Sequence, residues 1–478
     1  MMYKETDKRT KLVATIGPSS DNYEMLKKLV QAGVTCVRAN FSHGSYEEQK
    51  NKFNLAKQVS KELNLPLSLM LDTKGPEIRV GKMKDGVQLI KQGTMLDILT
   101  TEEAYKNLEG NSEQISVSYD MSLDLQVNDS VLLDDGKLST KVVKVSKGLV
   151  QVYVQNNHKL KTNKRINLPG VDFSLPFLSP KDVEDVKFGV QNGISYVAAS
   201  FVNSAENVKQ LRKVLVENGG EHIEIISKIE STLGIKNIDQ IIEASDGIMV
   251  ARGDLGLEVP YYEVPYYQKM IIRKCREAGK PVIVATQMLD SMENSPHPTR
   301  AEVTDVYFAV ELGADSTMLS GESANGGFPL EAVQTMTKIS KRAEREFYSK
   351  IYYPVHLEKI KEKLGSDLRS LIAYEIAKKT QGNEYKFAIV LSRTGKLLKK
   401  VANYRPNTTI VGILDDEKLT NSFGIYSSVF TSLDSKELFS EIKKDHSKAI
   451  LALKPFEYSK GDKFLVVEND SIKEYTVQ

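Results

Sequence analysis

The chain has 478 residues, 41% apolar and 27% charged, an ordinary globular balance with length for about three domains. Its 65 basic and 63 acidic residues leave a formal charge of +2, so no global field favours nucleic acid or an anionic membrane, and any anion site must be built locally. Two cysteines, Cys36 and Cys275, in so long a chain fit a reducing cytosol. The polar start MMYKETDKRTK lacks the apolar core of a signal peptide, and no apolar run reaches the roughly eighteen residues of a membrane span. A cytoplasmic location is expected.

Short apolar runs that end in polar residues recur along the chain. They are KLVATIG from Lys11, VTCVRAN from Val34, LSLMLDT from Leu67, ISYVAAS from Ile194, IEIISKIE from Ile223, GIMVARGD from Gly247, PVIVATQ from Pro281 and DSTMLSG from Asp315. Between most of them lie segments with helical apolar spacing, such as NYEMLKKLVQAG and NVKQLRKVLVENGG. Eight alternating units predict parallel strands with right-handed crossovers, closed into a (β/α)8 TIM barrel rather than an open doubly wound sheet. The third unit is interrupted after LDTKGPEIR, Leu71 to Arg79. VQLIKQGTMLDILT and DSVLLDDGKLSTKVVKVSKGLVQVYVQ then alternate with Gly and Asp turns, predicting an inserted β-rich domain. The insert ends near NLPGVDFSLP, and SPKDVEDVKFGVQNG resumes the helix, with Ser179 as N-cap and Pro180 at its first position. From about Tyr352, KFAIVLS, TTIVGIL, IYSSVF, KAILALK and KFLVVE alternate with helix-like segments, predicting a C-terminal α/β domain. The expected division is a barrel of residues 1–76 and 173–348, a β-rich lid of 77–172 and a C-terminal domain of 349–478.

Barrel enzymes carry reactive groups at the C-terminal ends of their strands. Alternation sends i and i+2 to one face, so Arg38, Asn40 and, if extended backbone continues, Ser42 share a face, as do Lys228 and Glu230, while Asp72 ends its run, Asp254 follows just past a Gly and Thr286 ends another run. An inward Lys and Glu are costly unless partnered; they form either a structural ion pair or a site. Glu230 and Asp254 end consecutive strands, and two such carboxylates suit Mg²⁺, which takes few protein ligands. Lys228 beside them can neutralise charge on a transferring group or an enolate. Arg38 and Arg79 are phosphate candidates or surface ion-pair partners. Asn40, Ser42, Asp72 and Thr73 suit a hard cation, or cap loops. His43 is expected to position a ligand; the six histidines are scattered without zinc-ligand spacing. Neither a G-x-G dinucleotide fingerprint nor a P-loop is present. A different Mg²⁺-enolate lyase or aldolase would use Glu230 and Asp254 but not the lid, and a scaffold protein would show an eroded site.

TKLVATIGPSS, VRANFSHG, LDTKGPEIR, IISKIES, MVARGDLGLEVP, ATQMLDSM, PTRAEVTDV and MLSGES resemble, in order, the signature blocks of the pyruvate kinase family. That resemblance implies phosphoryl transfer from phosphoenolpyruvate to ADP, dependent on Mg²⁺ and K⁺, in a homotetramer with neither nucleic acid nor membrane as partner. It assigns Lys228 to the transferring phosphoryl and the developing enolate, with Arg38 binding phosphate. Glu230 and Asp254 hold Mg²⁺. Gly253 and Thr286 position the substrate carboxylate beside Asp254. Asn40, Ser42, Asp72 and Thr73 match potassium ligands. Asn40, His43 and Arg79 lie on the nucleotide side, and Lys164 in NKRINLPG reaches the nucleotide from the lid. A lysine at the position of Glu77 goes with potassium independence in the family, so Glu77 implies that K⁺ is required. The chain departs from the family pattern at Arg165, where glycine is common, at Asn203, where arginine is common, and in TLG after IISKIES. LSRTGKLLKKVANYRP resembles the effector-phosphate loop, or is a helix capped by Ser392 or Thr394. Lys396 there, and an end GDKFLVVENDSIKEYTVQ without a Gly-rich loop, argue against activation by a sugar bisphosphate.

Overall fold

The computed structural model describes residues 8–172, 174–349, 352–468 and 471–478. Residues 1–7 of the polar start, Phe173 in the expected linker, positions 350 and 351 near the expected barrel–C-terminal boundary, and 469 and 470 near the C-terminal end lie outside them. Among the described residues, eight parallel strands close a barrel in chain order: Lys11–Thr15, Cys36–Asn40, Ser68–Asp72, Tyr196–Ala199, Glu224–Ile229, Gly247–Ala251, Val282–Ala285 and Ser316–Leu319. The first strand pairs with both the second and the eighth, which closes the sheet and removes its edges.

Alternation along these strands separates two apolar layers. Leu12, Ala14, Val37, Ala39, Leu69 and Leu71 point outward and pack under the helices. Val13, Cys36, Met70, Tyr196, Ala198, Ile226, Met249 and Ile283 fill the interior. A fully buried side chain of this kind contributes about 1.5–3 kcal/mol. The same parity, continued to the strand ends, sends Thr15, Arg38, Asn40, Asp72, Lys228 and Glu230 inward. Both cysteines are buried and free, and burial pushes their thiols up.

The surrounding helices start where side chains can satisfy their unpaired amides. Ser45 and Glu48 form a capping box for Tyr46–Leu63. Ser179 caps Pro180–Gln191, with Pro180 at the first position and Asp182 completing the box. Each such cap contributes about 1 kcal/mol.

Between the third strand and that helix the chain leaves the barrel. Gly75 makes the turn at φ +68°, and a Cβ there would lie 2.9 Å from Ser200 Cβ. Its amide donates to Asp182 Oδ1 at 3.2 Å. The insert is a β-sheet domain running from Ile78–Arg79 to Arg165–Asn167, which pair antiparallel with Arg165 opposite Arg79. Its core includes Ile98, Val131, Leu133, Val150 and Val152.

The C-terminal sheet runs Val429–Thr431, Thr409–Leu414, Tyr385–Ser392, Lys463–Glu468, Ser471–Thr476, parallel except for the last strand. KAILALK departs from its expected strand. It lies in the 3₁₀ helix His446–Leu453, because Ala449, Ala452 and Leu453 bury one helical face. Helix Lys396–Asn403 begins after Gly395 with no side-chain cap, so neither Ser392 nor Thr394 caps it. The domain covers the N-terminal end of the barrel and continues its interior core through Leu398, Ile410, Phe423 and Tyr426. No helix among the described residues is long and apolar enough to cross a membrane.

Candidate active site

A cavity of about 380 Å³ opens at the C-terminal ends of the strands, between barrel and insert. Arg38, Asn40, Ser42, His43, Asp72, Thr73, Arg79, Lys164, Lys228, Glu230 and Asp254 all line it. The structure thus gathers eleven residues that the sequence singles out from five separate stretches. Gly253 and Thr286 sit beside Asp254 and bond to each other: the Gly253 amide donates to Thr286 Oγ1 at 2.7 Å.

The floor is a buried ion network. Lys228 Nζ lies 3.0 Å from Glu230 Oε1, 3.1 Å from Asp72 Oδ1 and 2.7 Å from Ser200 Oγ. Arg38 donates from Nε to Asp72 Oδ2 at 2.6 Å and from Nη1 to Thr15 Oγ1 at 2.8 Å. Burial pulls the Lys228 ammonium down, but Asp72 and Glu230 outweigh it and hold it above the usual lysine range. Burial pushes Asp72 up, and Arg38 with Lys228 outweigh that to hold it below the carboxylate range. Glu230 goes the other way. Burial raises it, the Asp254 charge adds to this, and Lys228 and Arg165 only partly oppose it. Lys228 and Asp72 are therefore fixed charges, whereas Glu230 is an anion short of positive charge.

Two segments of left-handed backbone lie at the site, Phe201 in the cavity lining and Thr286–Gln287 outside it beside Gly253. Phe201 has φ 54°, and its amide donates to Glu230 Oε2 at 2.7 Å. Thr286 and Gln287 have φ 67° and 52°, a costly conformation for a β-branched residue. Arg252 holds it: Nη2 donates to the Thr286 and Gln287 carbonyls at 2.7 and 3.1 Å while Nη1 reaches Asp305 Oδ1 at 2.6 Å. That pins the Thr286 hydroxyl, which accepts from Gly253 and donates to the Ala285 carbonyl at 2.6 Å.

The insert supplies the roof. Lys164 Nζ is held 2.9 Å from Asp134 Oδ1. Arg79 donates from Nη2 to Glu77 Oε2 at 2.7 Å and from Nη1 to the Asn163 carbonyl at 2.9 Å. Glu77 also faces Lys74 at 3.6 Å. Asn40 Oδ1 accepts from the Ser42 amide at 3.0 Å, and Thr73 Oγ1 accepts from the Ser200 amide at 3.1 Å. His43 is exposed. Glu258 accepts from the Gly170 amide at 3.3 Å, and burial raises its carboxyl to about 7. Where the chain departs from the family pattern, Asn203 bonds Ser231. Among the described residues no three His, Cys, Asp or Glu side chains cluster as a metal site.

Sequence reasoning passed over Thr15 and Ser200 as partners of the network. Both share the inward parity of their strands, Thr15 with Val13 and Ser200 with Tyr196 and Ala198, a signal available before any coordinates.

Fold and site together define a (β/α)8-barrel enzyme with a cleft lined by basic and acidic side chains under an inserted β-domain. Comparison with known proteins narrows this. Residues 7–333 match the family model "Pyruvate kinase, barrel domain". The chain is 42% identical over 456 residues to the pyruvate kinase of Mycoplasma pneumoniae, spanning 89% of this chain and 90% of that protein. It is 41% identical over 450 residues to that of Lactobacillus delbrueckii subsp. bulgaricus, spanning 92% and 75%. A crystal structure of a pyruvate kinase from Cryptosporidium parvum superposes with a TM-score of 0.89 at 34% identity, covering 100% of this chain and 98% of that one. The chain belongs to the pyruvate kinase family.

Proposed function

We propose that this chain transfers the phosphoryl group of phosphoenolpyruvate to ADP, giving pyruvate and ATP, with Lys228 as the central charge. The observation that carries this assignment is the placement of Lys228 Nζ among Asp72, Glu230 and Ser200 in the floor of the shared cavity. In the reaction a β-phosphate oxygen of ADP bonds to phosphorus as the bond from phosphorus to the enol oxygen breaks. The electron pair stays on that oxygen, and the enolate then takes a proton at carbon. Lys228 holds a permanent positive charge where the phosphoryl group and enolate oxygen carry negative charge, and a fixed charge needs no reorganisation during the step. Arg38, oriented by Asp72 and Thr15, offers its guanidinium to the phosphate. Gly253 and the pinned Thr286 hydroxyl orient the substrate carboxylate. Asn40, His43, Arg79 and Lys164 face the nucleotide, and the insert over the cleft limits hydrolysis by water.

Glu230 and Asp254 are the residues that would hold Mg²⁺. The fit rests on Glu230, whose carboxyl is pushed up by burial and by the Asp254 charge against the opposing pull of Lys228 and Arg165; a cation held by both carboxylates would offset that shortage of positive charge. Mg²⁺ held there would supply positive charge against the phosphate oxygens. Asn40, Ser42, Asp72 and Thr73 offer oxygen atoms to the same cavity and would hold K⁺. Glu77 brings no positive charge of its own, so the ion must be supplied. A cytoplasmic homotetramer follows the family expectation.

The test is pyruvate formation coupled to lactate dehydrogenase, with phosphoenolpyruvate, ADP, Mg²⁺ and K⁺. Turnover that needs all four is expected; no pyruvate from folded protein overturns the assignment.

A further inference from the structure

Arg165 is the one cavity-lining arginine whose guanidinium spans from insert to barrel among the described residues. It starts the insert strand Arg165–Asn167, and its Nη1 lies 2.6 Å from Asp254 Oδ1. Its guanidinium carbon sits 4.9 Å from the Phe201 ring centroid. Its Nη2 is buried with no hydrogen-bond partner among the described residues, an unusual state for a charged donor. It lines the same cavity as Lys164, Lys228 and Arg38, and the charges of Asp254, Glu230, Glu77 and Asp135 all act on it.

We propose that Arg165 exchanges partners during turnover, pairing with Asp254 before the divalent cation binds and with a phosphate oxygen of the nucleoside diphosphate after it. This rests on the reading of Glu230 and Asp254 as cation ligands. A guanidinium and a divalent cation compete for one carboxylate, because each repels the other at that range. The cation therefore releases Arg165. The cation also arrives where phosphate oxygens gather, and the fork of a guanidinium suits phosphate bidentately. Stacking on Phe201 keeps the planar group at the cavity wall, so a pivot rather than a lid movement accomplishes the exchange. Lys164, next in the chain and held on Asp134, brings a second cation from the same strand end to the same ligand. By linkage, Arg165 weakens cation binding in the absence of nucleotide and strengthens nucleotide binding in its presence.

Mn²⁺ binding without nucleotide, counted by electron paramagnetic resonance on the full chain, tests the first half. Arg165→Met keeps the apolar contact with Phe201 and removes the charge; it is expected to bind Mn²⁺ about five- to tenfold more tightly than the native chain, within the usual range of coupling between sites. The KM for ADP is expected to rise about tenfold with the KM for phosphoenolpyruvate within about twofold, since a charge-assisted phosphate contact is lost. Arg165→Lys, with one point charge in place of a fork, is expected to keep the Mn²⁺ competition and lose most of the ADP effect. Unchanged Mn²⁺ affinity in Arg165→Met, alongside lost affinity in Asp254→Asn, overturns the exchange and leaves the cation site standing. Unchanged affinity in both Asp254→Asn and Glu230→Gln removes the cation site and the exchange with it. An unchanged KM for ADP in both Arg165 variants overturns the phosphate half.

Discussion

The two ends of the barrel carry the same kinds of charged residue and treat them in opposite ways. At the N-terminal end Glu224 pairs with Lys399 and accepts from Tyr426 Oη at 2.8 Å. Asp315 pairs with Arg405, and Glu344 takes the amides of Arg9 and Thr10. The partners of Glu224 and Asp315 come from the C-terminal domain, whose apolar face continues the barrel core. At the C-terminal end Arg38, Asp72, Lys228 and Glu230 are similarly buried, but they face a cavity. Buried ion pairs are common structural devices, so what separates these N-terminal pairs from the network of Arg38, Asp72, Lys228 and Glu230 is that the network lines a cavity and the pairs do not. Size of cavity does not separate them. A larger one, of about 510 Å³, lies at the N-terminal end, lined by Lys11, Gly33, Thr337 and Phe430 among others. There burial drives the Lys11 ammonium down and it sits over the Phe430 ring at 3.3 Å, a packing arrangement.

The contrast can be broken most forcefully by removing one acid from each end. Glu230→Gln is expected to lower kcat by about 10²–10³, the usual cost of one preorganised charge interaction in a site, and to weaken Mg²⁺ activation. Steady-state rates over a Mg²⁺ series check this; an unchanged Mg²⁺ dependence counts against the ligand role. Asp315→Ala strands Arg405 in the interior and is expected to destabilise the fold by about 3–5 kcal/mol. The folded fraction should retain its kcat within about twofold, because the pair lies at the end of the barrel opposite the candidate site and lines no part of that cavity. Denaturant melts with parallel assays separate the two effects.

A smaller effect sharpens the account through pH. The folded pKa of Glu258, about 7, lies above the ordinary 4.5, so between those values the folded protein keeps a proton that the unfolded chain releases. Its contribution to stability is fully present below about pH 4.5 and is lost as pH rises through 7. Glu258→Gln cannot ionise and is expected to gain on the native chain, from pH 5 to pH 8, by on the order of 1–3 kcal/mol. A stability difference that does not move with pH contradicts the burial cause. Smallest is the effect expected of Glu77→Lys, which places an ammonium in the cavity. Rates with and without K⁺ should converge, where the native chain is expected to lose about tenfold or more when K⁺ is replaced by Na⁺; each tenfold is about 1.4 kcal/mol. Full native activity without K⁺ overturns that reading.

Most of the barrel was legible because its signal is local. A strand of alternating layers shows in runs such as CVRAN and SLMLD, and a cap shows in Ser179-Pro180. Parity alone points Arg38, Asn40, Asp72, Lys228 and Glu230 to one interior. KAILALK misled because a short apolar run has no period long enough to separate strand from helix. Arg252 could not be read as the clamp on Thr286, since that contact depends on the closing register of two strands, Gly247–Ala251 and Val282–Ala285. Arg165 reads in sequence only as a departure from a small residue. Its reach to Asp254 needs the insert folded over the barrel, 89 residues away in the chain.

The most direct measurement is pyruvate formation by Lys228→Met, with folding verified by circular dichroism and its melt recorded beside the native chain. The account predicts a kcat at least about 10²–10³ lower, as for loss of a fixed charge at a developing anion. A folded Lys228→Met protein turning over within about tenfold of the native rate would contradict it.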